Sequence, residues 1–233
     1  MKINASNIIA HRGIFDNEKV PENSIPAFKK AMDLNIPIEF DIQLTKDNVL
    51  VVFHDDNLYR MTGKDIDIQK VNYNEIKDIK LLNTNEVIPT FVDVMKMINN
   101  KVLVNIEIKS NKRIKDVCTT AMNILCGYHN YVIQSFNPLI IRYIKNNYFS
   151  IETGLLIKNN YPNFIADKFF KSKFIINYSK TDFLSISKKL LKTKKFTELS
   201  KKYPTLIWTI KDDKEIDDDS NLIYICNNLP FDK

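Results

Sequence analysis

The chain has 233 residues, of which 44% are hydrophobic and 27% are charged, and its formal net charge is +6. This composition is typical of a globular protein with a sizeable core and excludes a disordered or fibrous chain. Its three cysteines include no C-x-x-C pair, which argues against a disulfide framework and a structural zinc site.

Basic chains often bind nucleic acids, membranes or anionic substrates. The lysines are spread along this chain, with a modest cluster in "SKKLLKTKK" (187–195), and we interpret them as a solvated surface. The start, "MKINASNIIAHRG", lacks a signal-peptide core, and no apolar run reaches the roughly 20 residues of a membrane span. We therefore expect a cytoplasmic protein with no integral membrane segment and no nucleic-acid partner; the oligomeric state is not predicted.

Short apolar runs recur along the whole chain, separated by helical patterns. Near-continuous Ile, Val and Leu runs are typical of parallel strands buried on both faces. In chain order, the strand candidates are residues 7–11, 36–44, 49–54, 101–109, 131–136, 152–157, 173–178, 206–210 and 222–226. No Pro/Gly/Ser-rich linker divides them, so we expect one domain over residues 1–233.

Helix patterns with capping residues lie between these runs. Asn23 or Ser24, Thr90 and Asn137 each precede one such pattern. The alternation predicts a (β/α)₈ TIM barrel in the α/β class. Since nine candidates exceed eight, we expect residues 49–54 to form an extra strand that pairs with 36–44 across "TKDN". Residues 56–89 show no clear period and are predicted to form a lid-like excursion.

Seven ionisable side chains lie within or directly after the apolar runs. They are His11, Arg12, Glu39, Asp41, His54, Glu107 and Lys109. A buried carboxylate is costly unless it is paired or bound to a cation. Because active sites of TIM barrels form at the carboxyl ends of the strands, we predict that these groups face a common site. His129 has no such company and is predicted to lie on the surface.

The spacing of these residues indicates their chemistry. Glu39 and Asp41 share one strand face, as do Glu107 and Lys109. Converging carboxylates favour Mg²⁺ or Ca²⁺ over Zn²⁺, the two histidines suit proton transfer, and Arg12 and Lys109 suit a phosphate group. A solvated strand edge or a plain ion pair explains each feature alone. Their coincidence at strand ends favours phosphoester hydrolysis.

Several motifs match one known family in order. They are "AHRG" (10–13), "PENSIPAF" (21–28), "IEFDIQLTKDNVLVVFHDDNLYRMTG" (38–63), "IPTFVDVM" (88–95), "VNIEIK" (104–109), "QSFNP" (134–138) and "WTI" (208–210). Over nearly its whole length the chain resembles the glycerophosphodiester phosphodiesterases, a branch of the phosphatidylinositol-phospholipase-C-like TIM barrels. The resemblance implies hydrolysis of a small glycerophosphodiester, such as glycerophosphocholine or glycerophosphoethanolamine, to sn-glycerol 3-phosphate and an alcohol.

The resemblance also implies a role for each site residue. Glu39, Asp41 and Glu107 match the ligands of one divalent cation, Mg²⁺ or Ca²⁺, and His11 and His54 match the acid/base pair. In the same way, Arg12 and Lys109 match phosphate-binding cations. Trp208 and Phe136 match the pocket wall, although ordinary barrel packing explains both equally well.

The chain departs from the family pattern at scaffold positions, which affects the expected substrate preference more than the reaction. Ser24 replaces a usual threonine, and the turn "TKDN" lacks a usual glycine, although Asn48 tolerates a left-handed conformation. Two alternatives stay open. A lysophospholipase-D-like enzyme would need an apolar rim, for which the excursion offers Leu58, Tyr59, Met61, Leu81 and Leu82. A non-catalytic barrel that binds phosphodiesters is the other.

Overall fold

Eight parallel strands close into a barrel in the computed structural model, which describes residues 8–216 and 222–227. The strands are β1 (Ile8–His11), β2 (Ile38–Leu44), β3 (Leu50–Val52), β4 (Val104–Ile108), β5 (Tyr131–Ser135), β6 (Thr153–Ile157), β7 (Phe183–Ser187), β8 (Thr205–Ile210) and β9 (Leu222–Cys226). Around the barrel the order is β1, β2, β4, β5, β6, β7, β8 and β9, and β9 pairs with β1. The predicted TIM barrel is confirmed.

Helices connect the strands, and several of them begin at the predicted caps. They are α1 (Ile25–Asp33), α2 (Tyr59–Thr62), α3 (Tyr73–Ile76), α4 (Phe91–Ile98), α5 (Ile114–Leu125), α6 (Pro138–Asn147), α7 (Phe164–Phe170), α8 (Lys173–Ser179), α9 (Lys188–Leu191) and α10 (Lys194–Ser200). The side chains of Ser24, Thr90 and Asn137 accept backbone hydrogen bonds at the starts of α1, α4 and α6. These bonds satisfy amides that have no partner inside the helix.

The extra strand is β3, which pairs antiparallel with β2 as predicted. In the turn, Asn48 has a φ of 65°, and Thr45 exchanges hydrogen bonds with Val49. Leu50 and Val52 pack into the main core with the helices, whereas Val51 packs into a separate cluster formed by the excursion. The strand therefore joins two apolar cores.

One strand prediction is wrong. Residues 173–178 form most of α8, and the strand lies ten residues later, at β7. Ser172 caps α8 by accepting from the amide of Ile175, and Ile175 and Ile176 are buried while Phe174 is exposed. The one-sided burial is that of a helix packed on a barrel. The run "KFIINY" contains more apolar residues than "FLSIS", in which Ser185 is a polar residue that the strand nevertheless buries.

The barrel interior depends on one small residue. A Cβ atom at Gly154 would lie 2.0 Å from Cε2 of Phe183 on the neighbouring strand. Phe183 is completely buried and packs with Ile9, Val132 and other inward-facing side chains. The ring of Phe183 therefore fills the space that a side chain at position 154 would occupy.

The excursion between β3 and α4 has a small core of its own. Its short helices and a 3₁₀ turn (Ile68–Lys70) pack around a cluster of buried side chains. Three residues predicted as possible rim residues belong to that cluster: Leu58, Met61 and Leu81 are buried, whereas Tyr59 is exposed. Within the described residues, no helix has the length and apolar character needed to cross a membrane.

Candidate active site

Three buried carboxylates converge on the neighbouring strands β2 and β4. Asp41 is the register partner of Glu107, and Glu39 lies two residues before Asp41 on the same strand face. Each of the three offers one oxygen atom, and these atoms lie within 4.8 Å of one another. All three side chains are almost inaccessible to solvent. The arrangement is a compact, oxygen-only donor set, as the sequence predicted.

A tight turn after β1 brings Arg12 against this cluster. Arg12 and Gly13 both have positive φ values, 57° and 82°. The backbone N–H of Arg12 donates to Glu39 Oε2 over 3.2 Å, and its guanidinium Nε lies 3.6 Å from Asp41 Oδ2. A Cβ atom at Gly13 would lie 2.8 Å from the backbone of Ala27, so the turn is also packed closely on α1.

Lys109 supplies the second cation of the site. Its Nζ lies 2.9 Å from Glu107 Oε1 and 3.5 Å from Asp41 Oδ1. Arg12, directly after β1, and Lys109, directly after β4, therefore both contact Asp41. Glu39 receives weaker donors, since the Gln134 amide lies 3.4 Å from its Oε1.

The electrostatics follow from burial and from this uneven pairing. Burial, together with the charges of Asp41 and Glu107, raises the pKa of Glu39 well above its ordinary value. Burial also raises the pKa of Glu107 to about 7, although Lys109 acts against it. Burial acts in the same direction on Asp41, but Lys109, His54 and Arg12 together hold its pKa below the ordinary value. Repulsion between the carboxylates is therefore only partly neutralised by the chain's own cations.

The hairpin delivers His54 to the site. Because β3 runs antiparallel to β2, the chain returns from the end of the hairpin toward the barrel, and the amide of Phe53 donates to the carbonyl of Asp41. His54 follows directly, and its Nδ1 lies 2.6 Å from Asp55 Oδ1. His54 thus reaches the barrel mouth from above, not at the end of a parallel strand.

His11 ends β1 beside Glu39. Its Nε2 lies 3.9 Å from Glu39 Oε2, and its Nδ1 is hydrogen-bonded to the side chain of Asn227, directly after β9. Burial, and then the neighbouring charge of Arg12, lowers the pKa of His11 to about 4. Burial also lowers the pKa of His54. Both rings therefore hold a proton less readily than a free imidazole does, which favours the proton-accepting form.

A carboxylate to which the sequence analysis gave no role connects the Arg12 side of the site with the His54 side. Glu22, in the loop before α1, accepts from Arg12 over 2.7 Å and from Arg60 of α2 over 2.6 Å. Arg60 also donates to Asp55 Oδ2 over 2.6 Å. Glu22, Arg60 and Asp55 thus form a continuous ion-paired network from the phosphate-binding candidate Arg12 to His54.

A cleft of about 110 Å³ opens above the carboxylates. His11, Arg12, Glu39, His54 and Glu107 line one part of it. The apolar wall consists of Phe136, Leu156, Trp208 and Ile225. The rings of Phe136 and Trp208 meet edge to face, with 5.6 Å between their centroids. Asp41 and Lys109 do not line the cleft, but they contact Arg12 and Glu107, which do.

All nine site residues predicted from the sequence therefore lie at one end of the barrel, in or directly behind one cleft. The sequence reasoning did not assign roles to Glu22, Asp55, Arg60, Gln134 or Asn227. Two of them, Asp55 and Arg60, stand in the quoted motif "HDDNLYRMTG", and Glu22 stands in "PENSIPAF". The motifs pointed to these residues, but the sequence did not show which side chains they contact.

Known proteins share both the sequence pattern and the fold. The family model described as "Glycerophosphoryl diester phosphodiesterase family" matches residues 11–224. A glycerophosphodiester phosphodiesterase from Caldanaerobacter subterraneus subsp. tengcongensis is 38% identical over 161 residues, which cover 64% of this chain and 65% of that relative. The match thus spans somewhat less than two thirds of that relative's length.

Solved structures share the fold over nearly the whole chain. A phosphodiesterase from Oleispira antarctica, solved in complex with the product sn-glycerol-3-phosphate, superposes with a TM-score of 0.80 at 21% identity, covering 97% of this chain and 94% of that one. A glycerophosphodiester phosphodiesterase from Parabacteroides distasonis gives a TM-score of 0.75 at 24% identity, covering 97% and 93%. With the family model matched from β1 to β9, the chain belongs to the glycerophosphoryl diester phosphodiesterase family.

Proposed function

We propose that the chain hydrolyses glycerophosphodiesters to sn-glycerol 3-phosphate and an alcohol. The observation that carries the proposal is the convergence of two histidines, from different elements, on one cleft floored by three buried carboxylates. Family membership and the name of the Caldanaerobacter relative support the reaction class. The product bound to the Oleispira neighbour supports a glycerol phosphate as the part of the substrate that is recognised.

Glu39, Asp41 and Glu107 would hold one divalent cation. The donor set fits such an ion because it contains only carboxylate oxygens, which Mg²⁺ and Ca²⁺ prefer. The raised pKa values of Glu39 and Glu107 are a second sign of fit, because they reflect negative charges brought together without sufficient compensation. When bound, the cation would act as a Lewis acid that withdraws charge from a phosphate oxygen.

The chain's own cations would position the phosphodiester. The Arg12 guanidinium is held by Glu22 and Asp41, and the Lys109 ammonium by Glu107 and Asp41, so both are fixed before substrate arrives. Preorganised donors of this kind stabilise charge that develops in the transition state without reorganising during the reaction. The edge-to-face pair of Phe136 and Trp208 would form the apolar wall against the glycerol or headgroup carbons.

The two histidines would transfer the protons. One ring removes a proton from the attacking oxygen, which belongs to water or to the neighbouring glycerol hydroxyl; in the second case, water then opens the resulting cyclic phosphate. The other ring has to carry a proton on Nε2 when the substrate is bound, and it donates that proton to the departing alcohol oxygen. His54 has its Nδ1 fixed by Asp55, and His11 has its Nδ1 fixed by Asn227, so Nε2 of each ring is the atom available for this exchange. Loss of either ring would slow turnover by on the order of 10²–10⁴-fold.

The two alternatives have less support. A lysolipid substrate requires an apolar rim, but three of the five excursion residues considered for it, Leu58, Met61 and Leu81, are buried in the excursion's own core. A purely binding barrel would not need two histidines held by hydrogen bonds. All three cysteines are free, which agrees with the cytoplasmic location that we propose.

The test is an assay of sn-glycerol 3-phosphate release from glycerophosphocholine and glycerophosphoethanolamine, with Mg²⁺, with Ca²⁺ and with excess chelator. His54→Ala and Glu107→Gln are compared with wild type, and His129→Ala, which removes an exposed histidine outside the cleft, is the matched control. We expect cation-dependent release that both site variants lose and the control retains. Folded wild-type protein that releases nothing with either cation would refute the proposal for these substrates, and lysophospholipids would be tested next.

A further inference from the structure

The net positive charge of the chain comes from one segment. Residues 158–195 contain ten lysines and two aspartates, with no arginine and no glutamate. The other 195 residues contain 24 basic and 26 acidic residues. From the sequence we expected a solvated lysine surface spread over the molecule. The whole excess of basic over acidic residues instead lies in the region that follows β6.

The fold places the beginning of this segment at the mouth of the barrel. β6 ends at Ile157, and its Leu156 lines the active-site cleft. The chain then forms α7 before α8 leads back along the outside of the barrel toward β7. Since the connections that follow parallel barrel strands lie at their carboxyl ends, α7 is on the same face of the molecule as the cleft.

Helix α7 presents apolar side chains to solvent. None of its residues is buried. Phe164, Ile165 and Phe169 are 70%, 79% and 48% exposed, and Phe174 at the start of α8 is 66% exposed. We call these four side chains the α7 patch. Monomeric proteins rarely expose so many large apolar side chains together unless the surface binds a partner.

Local contacts nevertheless order the helix and the loop that precedes it. The Phe170 ring stacks on Tyr161 with 4.9 Å between centroids, and Asp167 accepts the ammonium of Lys171 and the amide of Tyr161. Phe170 and Asp167 thus make the contacts that hold α7 to its preceding loop. The side chains of Phe164, Ile165 and Phe169 are exposed to solvent.

Lysines surround the α7 patch. Lys168 lies over the Phe164 ring, with its Nζ 4.3 Å from the ring centroid. Lys195 donates to the carbonyl of Lys171, which places an α10 lysine beside the end of α7. Burial, and then the positive charges of Lys173 and Lys171, lowers the pKa of Lys195. The segment's one nearby carboxylate, Asp167, is already paired with Lys171.

We propose that the α7 patch and its surrounding lysines dock the protein onto an anionic lipid bilayer, with the active-site cleft on the side that faces the membrane. Apolar side chains projecting from a helix with lysines around them are the composition of an interfacial membrane-binding element. Each lysine near an anionic surface strengthens binding about five-fold. The three exposed phenylalanines of the patch suit either lipid or nucleic acid. The absence of arginine in residues 158–195 and the aliphatic character of the most exposed patch residue, Ile165, favour lipid.

This inference goes beyond the proposed hydrolysis and does not depend on it, because binding is measured without turnover. The experiment is co-sedimentation of the full chain with vesicles of phosphatidylcholine alone, and with vesicles in which roughly one third of the lipid is phosphatidylglycerol. We expect binding to the anionic vesicles to be at least about ten-fold tighter and to weaken with salt. Binding that is equal for both vesicle types, or undetectable for both, would overturn the proposal.

Matched variants locate the surface. Ile165→Ser combined with Phe169→Ser should weaken binding to anionic vesicles roughly 30-fold, because two inserted apolar side chains are lost. The control is Phe149→Ser, which removes a phenylalanine that is 83% exposed after α6, at the other end of the barrel. Lys168→Gln combined with Lys173→Gln should weaken binding about 25-fold, whereas Lys101→Gln, also at that other end, should have little effect. Equal losses in the variants and their controls would refute the location.

A label reports insertion directly and does not depend on the polar variants folding. Cys118 and Cys226 are buried, so replacing the exposed Cys126 by serine leaves Ile165→Cys as the accessible thiol for an environment-sensitive dye. Anionic vesicles should shift its emission to the blue, with no shift for the same dye on Phe149→Cys. No shift at position 165, or an equal shift on adding a single-stranded oligonucleotide, would exclude lipid insertion and indicate a general polyanion surface.

Discussion

The carboxylate of Asp55 lies 2.6 Å from Nδ1 of His54, and the same carboxylate accepts from Arg60 over 2.6 Å. Because a carboxylate accepts only from a protonated nitrogen, this contact places the proton of the neutral ring on Nδ1 and leaves Nε2 with its lone pair. Asp55 is therefore a positioning residue for His54, and Arg60 holds it in place.

Replacing Asp55 by asparagine should reduce kcat by on the order of 10²-fold, with a smaller effect on KM, because the wrong tautomer of His54 becomes accessible. The pH dependence of kcat should change as well, since the carboxylate no longer acts on the titration of the ring. A structural defect alone would lower the amount of active enzyme without changing the pH profile. The profile is measured by sn-glycerol 3-phosphate release between pH 5 and pH 9, with Asp65→Asn as a control in the excursion.

Glu22 should make stability depend on acid pH. Although burial acts to raise it, hydrogen bonds from Arg60 and the charge of Arg12 lower the pKa of Glu22 to about 2, from an ordinary value of 4.5. A carboxylate with a lowered pKa stabilises the folded state above its unfolded pKa, and the contribution is lost as pH falls from about 4.5 toward 2. We expect a loss of about 2 kcal/mol over this window, reduced from the full shift because Arg60 is half exposed.

The measurement is the free energy of unfolding in urea at pH 5 and at pH 3, for wild type and Glu22→Gln. The variant should be less stable at pH 5, because Arg12 loses its buried partner, and should show a smaller change between the two pH values. An equal pH dependence in both proteins would mean that other carboxylates cause the acid transition.

Cation binding should release protons near neutral pH. In the cation-free protein burial holds the pKa of Glu107 at about 7, so part of the population is protonated there. A divalent cation requires the ionised form, and its affinity should therefore rise as pH increases from 6 to 8. Titration calorimetry with Mg²⁺ in buffers of different ionisation enthalpy measures the released protons. Glu107→Gln should bind more weakly and release fewer protons, with Glu39 left as a ligand of raised pKa. A pH-independent affinity in wild type would contradict the proposed ligand set.

Adding one methyl group at position 154 should disturb the barrel interior. The Cβ atom of Gly154→Ala would overlap the Phe183 ring, and since both lie on adjacent strands, neither can move freely. We expect a destabilisation of about 1–3 kcal/mol, which is the usual range for overpacking. Phe183→Leu combined with Gly154→Ala should recover part of the loss relative to the sum of the single variants. Additive effects in this double-mutant cycle, measured by thermal or urea unfolding, would show that the two positions do not interact.

The sequence was sufficient to predict the barrel, the β2–β3 hairpin and three helix caps, because their signals are local. Buried strands, Asn48 in the turn and Ser24, Thr90 and Asn137 at the caps act within a few residues. The sequence of α8 was predicted as a strand for a physical reason. Helices packed on a barrel and strands within it both bury apolar residues, and the true strand, β7, contains the polar but buried Ser185.

The site was predicted less evenly. The nine residues that carry charge or rings were identified because they interrupt apolar runs or match motifs. The residues that hold them were not, since their contacts join distant parts of the chain: Glu22 and Arg60 are 38 residues apart, and His11 and Asn227 are 216 residues apart. No pattern within a window of sequence contains such a contact.

The carboxylates and His54 are supported by two different apolar cores, because His54 follows the β2–β3 hairpin. The carboxylates belong to strands whose outer faces pack into the main core, whereas His54 and Arg60 are held by a chain segment with an apolar cluster of its own. Segments with independent small cores are the ones that open locally while the rest of a protein stays folded. Opening of the excursion would withdraw His54 but leave Glu39, Asp41 and Glu107 in place. A molecule in that state would still bind a cation but would no longer turn over substrate. On heating, catalytic activity should therefore be lost before cation affinity is.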